Sequence, residues 1–226
     1  MREKINLRFI SSKVFFYWLY IPAIFLILIV AIASYYLNIP ISRFTRDPLA
    51  ITDGHPFLGV VSNIGAILWS ATVAICFFSY AILKTNKKSH DVLGFIMVGG
   101  LISLLLLLDD LFMLHEKICP KYLSGNEKIV FIFYGSLLLL YLLKYRLNII
   151  ETDLIYLTLA VFFFGLSILV DLLLPESLLP WHHLFEDGPK FIGIVSWFGY
   201  HFTTCFKEVQ SVVYTAAPNK SINSDS

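Results

Sequence analysis

Six stretches of this chain are too apolar, over too great a length, for a water-soluble fold. They cover residues 14–37, 57–83, 92–114, 129–143, 154–174 and 189–206. A helix needs about 20 apolar residues to cross the hydrocarbon core of a bilayer. A lone strand of the same composition would leave its backbone unpaired in lipid. The expected fold is therefore all-α: a polytopic six-transmembrane-helix bundle forming one domain over residues 1–207. The fourth stretch is short and is expected to extend at both ends. Residues 208–226, with Pro218, Asn219, Ser221, Asn223 and Ser224, cannot build a core and read as a short disordered tail.

Composition agrees. Of the residues, 58% are hydrophobic and only 15% charged, against about 25% charged in a soluble domain. That excludes a disordered chain as well as a soluble one. The net charge of +1 gives no basic excess for nucleic acid; the expected surroundings are a lipid bilayer. The three cysteines are far apart and form neither a zinc motif nor a disulfide framework. Cys76 and Cys205, inside apolar runs, read as small packing residues, and Cys119 as a free thiol.

Arg2, Lys4, Arg8 and Lys13 precede the first stretch, as in a secretory leader, but that stretch is longer than a leader's apolar region. It is expected to remain as an anchor. With six spans, 11 of the 17 basic residues fall on the side of the two termini. The positive-inside rule then places both termini in the cytoplasm. The same arrangement puts 10 of the 16 acidic residues on, or near, the outer face. His55, His115, His182 and His183 join them.

Two segments carry this polar chemistry. The first is Asp109-Asp110-Leu111-Phe112-Met113-Leu114-His115-Glu116, directly after five leucines. Its carboxylates lie within the outer half of the third span. A charge in the bilayer costs at least about 2.5 kcal/mol, so it usually faces a cavity or a partner. At about 100° per residue, Asp109 and Glu116 share a helix face, Asp110 lies to one side and His115 to the other. Either the helix breaks near Leu114, or only two or three of these groups point inward. Asp109 and Glu116 are the first choice and Asp110 the next.

The second segment is Trp181-His182-His183-Leu184-Phe185-Glu186-Asp187-Gly188-Pro189-Lys190. Asp187 followed by Gly188-Pro189 reads as a helix start, with Asp187 as cap. Lys190 then lies one turn into an apolar helix and needs a carboxylate, from Glu186, Asp109 or Asp171. Lys190, Gly193, Trp197 and His201 fall on one face. That face lines a cleft or channel, or it is a packing face with Trp197 and His201 near the interface. Asp171 is the third acid within a span.

These residues admit three functions. In a metal-dependent membrane hydrolase acting at lipid-headgroup depth, Asp109, Glu116, Asp171, His182 and His183 would hold a divalent metal (zinc, iron or manganese). Glu186, with Asp110, would serve as the catalytic carboxylates. In a non-catalytic binding or assembly protein, a buried Asp–Lys network, with Lys190, Asp187 and His201 as its polar face, would fix helix packing and meet a membrane-protein partner. In an ion- or proton-coupled transporter, Asp109, Asp171, Lys190 and His201 would form a relay.

The setting of acids and histidines resembles the membrane hydrolase superfamily of alkaline ceramidases and adiponectin-type receptors. That resemblance implies a zinc hydrolase. The paired HxxxH of that family's last helix is absent, and His201 stands alone on the sixth span. The two segments together resemble the fingerprint of a bacterial membrane-protein group of unknown role, which implies a bacterial-type inner membrane.

Overall fold

The computed structural model describes residues 12–55, 57–119, 121, 127–173 and 182–216. Among them every regular element is helical. Four helices are long and apolar enough to cross a membrane, and one shorter apolar helix accompanies them.

The chain divides into two compact units. The smaller, Leu7–Val60, contains α1 (Ser12–Leu37), α2 (Ser42–Thr45) and α3 (Pro48–Thr52). Helix α1 covers the first expected span and ends where Asn38 turns left-handed at φ 51°. Helix α3 starts in the expected manner for its sequence: Asp47 caps it by accepting from Leu49 N–H at 2.7 Å, and Pro48 takes the first position.

The larger unit begins at Val61. It holds α4 (Val60–Thr85), α5 (His90–Phe112), a π-helical turn (Leu114–Ile118), α6 (Glu127–Lys144), α7 (Arg146–Ile150), α8 (Leu154–Leu173) and α9 (His182–Ala216). Gly59, at φ 66°, turns the chain into α4, so residues 57–59 of the second apolar stretch stay outside the helix. Helix α5 starts on a Ser89 cap with Asp91 in its first turn. Helix α6 extends beyond both ends of the fourth stretch, as expected.

Helix α9 differs from expectation at both ends. It starts at His182 and runs through Asp187, Gly188 and Pro189, so Asp187 caps nothing and Pro189 lies inside. Pro189 removes one backbone hydrogen bond. Unwinding the whole preceding turn would strand several more polar groups beside apolar surfaces, which is the larger cost. At its other end α9 continues to Ala216, past Glu208 and into the stretch that composition assigned to the tail. Lys88 holds that end: its Nζ lies 3.0 Å from Glu208 Oε2 and donates to Ser211 Oγ at 2.9 Å. At 35 residues, α9 is about 52 Å long.

Glycines set how closely these helices approach. A Cβ at Gly193 of α9 would stand 2.6 Å from the Phe164 ring of α8, and one at Gly100 of α5 would stand 2.9 Å from Cys76 Cβ of α4. The core around these crossings is unusually aromatic: Trp69, Phe95, Tyr141, Tyr145, Trp197 and Tyr200 are all buried. Gly193→Ala is expected to lower the thermal midpoint of detergent-solubilised protein, through an overpacking cost of about 1–3 kcal/mol. Gly165→Ala on α8, where nothing lies within 4 Å of a new Cβ, is expected to leave the midpoint unchanged or raise it by the helix propensity of alanine.

Candidate functional site

Helices α5 and α9 run antiparallel, joined by polar contacts that step down one helix as they step up the other. Lys190 Nζ meets Asp110 Oδ1 at 2.8 Å. Further along, Trp197 Nε1 donates to Ser103 Oγ at 2.9 Å, and Ser103 Oγ donates back to Gly99 O at 2.8 Å. A turn beyond, the His201 imidazole lies against Gly99. The spacings of these residues, seven then four on each helix, keep every pair on one face.

Asp110 is the hub. Its second oxygen, Oδ2, accepts from Trp69 Nε1 of α4 at 2.9 Å. One carboxylate thus links three helices, with both oxygens engaged. Lys190 therefore bonds the acid that helical geometry ranked behind Asp109, and it does so across the unit.

Asp109 is employed differently. Helix α5 breaks at Met113, which is left-handed at φ 48°, and the π-helical turn follows. Of the two alternatives left open above, the helix break is the one observed. The break carries His115 back over the helix end. His115 N–H donates to Asp109 Oδ1 at 3.0 Å, and His115 Nδ1 lies 2.6 Å from Asp109 Oδ2. A non-glycine residue in this conformation costs about 1–2 kcal/mol. The two contacts to a carboxylate that is only 4% exposed offset that cost. The Tyr134 hydroxyl of α6 approaches the same carboxylate.

Around these pairs lies a cavity of about 180 Å³. Asp109, Asp110, His115, Asp171, Glu186, Asp187 and Lys190 line it, and Trp69, Trp197, Phe131, Tyr134 and Phe164 form its aromatic walls. Trp69 and Phe164 stack with centroids 6.0 Å apart. Five carboxylates thus face one lysine and one histidine. Neither Asp171 nor Asp187 has an ion pair with a described residue.

Most of the acids singled out from sequence meet here, together with Lys190. His183 does not line the cavity. Its side chain is exposed and its Nδ1 is 3.8 Å from Glu186 Oε2. His201 lies deeper, with Nδ1 3.1 Å from Trp197 O. The side chains of Glu116 and His182, and all of Trp181, lie outside the described residues. Among the described residues no three His, Cys, Asp or Glu side chains are placed to share a metal ion.

Sequence reasoning missed Trp69 and Tyr134, and it named His115 in the polar segment without giving it Asp109 as a partner. Nothing in Leu-Phe-Met-Leu marks a left-handed residue, so the return of His115 had no signal. Trp69 had one: an indole N–H within an apolar span needs an acceptor.

If the Asp110–Lys190 pair holds the helices, Asp110→Asn and Lys190→Met should each destabilise the solubilised protein, by about 2 kcal/mol given the partly exposed lysine. The double variant should lose clearly less than the sum of the two. A thermal-unfolding double-mutant cycle measures the coupling.

A family model described as a domain of unknown function (DUF8692) matches residues 20–204. No curated protein and no solved structure matches the chain.

Proposed function

This chain belongs to the DUF8692 family, and we propose that it is a multi-pass membrane binding protein whose Asp110–Lys190–Trp69 network holds open a polar cavity for a small cationic ligand. The observation that carries this reading is the double use of Asp110, whose two oxygens bond Lys190 and Trp69 from two other helices. A carboxylate so occupied acts in architecture rather than in chemistry. The lining supports the choice of ligand: carboxylates outnumber cations, and tryptophan and phenylalanine faces attract ammonium groups. With six crossing helices, the distribution of basic residues supports both termini in the cytoplasm and the cavity toward the outer face.

One observation favours a second reading, the metal-dependent hydrolase. The Asp109–His115 contact at 2.6 Å is the arrangement by which a carboxylate orients an imidazole for proton transfer or metal ligation. In that reading His115 would be joined around a divalent zinc, iron or manganese ion by Glu116 and His182, whose side chains lie outside the described residues.

Two measurements separate the readings. Under the binding reading, tetramethylammonium or ethanolamine raises the thermal midpoint of the purified protein relative to sodium at equal ionic strength, and Asp171→Asn removes the effect. Under the hydrolase reading, elemental analysis of untagged protein finds near-stoichiometric metal, lost in Asp109→Asn. Metal in the wild type together with no response to amines would overturn the binding reading.

A further inference from the structure

The walls of the acidic cavity change character along the helix axes. Asp109 and Asp110 lie in the last turn of α5, Asp171 in the last turn of α8, and Glu186 and Asp187 in the second turn of α9. The carboxylates thus gather where helices end. Ile102 lies seven residues before Asp109 on α5, and Trp197 seven residues after Lys190 on α9, and both also line the cavity. Seven residues span about 10 Å of helix. Leu106 of α5 and Leu138 of α6 continue the apolar wall at the deeper levels. One space therefore has a carboxylate end near the helix termini and an apolar end about 10 Å further in.

The ends of a spanning helix lie toward the headgroups and its middle lies in the hydrocarbon. The carboxylate end of the cavity is then at headgroup depth and the apolar end at acyl depth. That is the order of groups in a lipid. A small hydrophilic cation meets the needs of the carboxylates alone and leaves the apolar walls without an apolar partner. An ammonium group joined to a hydrocarbon chain meets both.

The cavity also has a side opening on α6. Gly135 lines it, next to Tyr134, yet Gly135 is exposed and nothing lies within 4 Å of a Cβ built there. Ile132 and Leu139, on the same face of α6, are exposed as well. On a helix that crosses a bilayer, such exposed apolar side chains meet acyl chains. Helix α6 packs on α5, and α8 packs along α9. The same stretch of α6 thus borders the cavity on one side and the hydrocarbon on the other.

We propose that the ligand of this cavity is a membrane lipid with an amine headgroup, admitted from the bilayer past Gly135. Its ammonium meets Asp171 and Asp187, and its hydrocarbon lies along Ile102, Leu106 and Leu138. The inference names the ligand class of the binding reading given above and rests on that reading. A water-soluble amine needs neither the apolar end nor the opening at Gly135, and an amine-bearing lipid uses both.

The test is native mass spectrometry of the full chain, released from nanodiscs that hold phosphatidylethanolamine and phosphatidylglycerol in equal amounts with identical acyl chains. The expected result is retained phosphatidylethanolamine, preferred over phosphatidylglycerol by at least about tenfold, the worth of one charge-assisted hydrogen bond. Asp171→Asn removes most of that preference. Gly135→Phe, which fills the opening, lowers retention several-fold. Equal retention of the two lipids by the wild-type protein marks ordinary boundary lipid and overturns the proposal. So does a preference that Asp171→Asn leaves unchanged, and retention unchanged in Gly135→Phe overturns entry past α6. If free ethanolamine raises the thermal midpoint while phosphatidylethanolamine is not preferred, the binding reading stands and the lipid inference falls. If neither amine acts, both fall. The wild-type comparison decides the matter even if a variant fails to fold.

Discussion

A carboxylate and an ammonium set among leucines impose the main constraint on the larger unit. Removing either charge from water costs several kcal/mol unless a partner of good geometry replaces the lost hydration. Asp110 meets that demand with Lys190 at 2.8 Å and the Trp69 indole at 2.9 Å. The partners come from α9 and α4, so the demand is met in one arrangement of three helices. Leucine surfaces impose no comparable choice, because a lipid tail is as apolar as a leucine side chain. The ion pair therefore sets which faces meet, and packing supplies contact area once they have met.

Everything along the α5–α9 seam follows from that register. With Asp110 opposite Lys190, Ser103 falls opposite Trp197 and Gly99 opposite His201. Each level matches a large polar side chain on α9 with a small or acidic residue on α5. Glycine at the last level admits the imidazole, which no larger residue would. The Lys88–Glu208 pair closes the far end of the seam. Specificity thus comes from a few polar matches spaced by whole helical turns, set into an aromatic core that excludes water from most of them.

The two adjacent acids illustrate how local backbone geometry assigns roles. Asp110 faces across the unit and serves architecture. Asp109 faces the end of its own helix, where the left-handed Met113 returns His115 to it. One carboxylate holds helices together while its neighbour orients an imidazole at a cavity wall. Asp171 and Asp187 also line the cavity, and neither task employs them.

Some of this was legible in the residues alone. Hydrophobic length and composition determined that the chain is helical and apolar enough for a membrane, because a backbone in lipid has few ways to satisfy its hydrogen bonds. The cost of burying charge marked Asp109, Asp110 and Lys190 as residues with partners. Tertiary structure decided the identity of those partners. Lys190 could reach three acids on paper and took a fourth. Pro189 looked like a boundary and became an interior residue. His115 lay on the wrong face of a continuous helix and reached Asp109 only because the helix stops. Pairing depends on where separate helices cross and where a backbone departs from its regular period, and periodicity along a single chain contains neither.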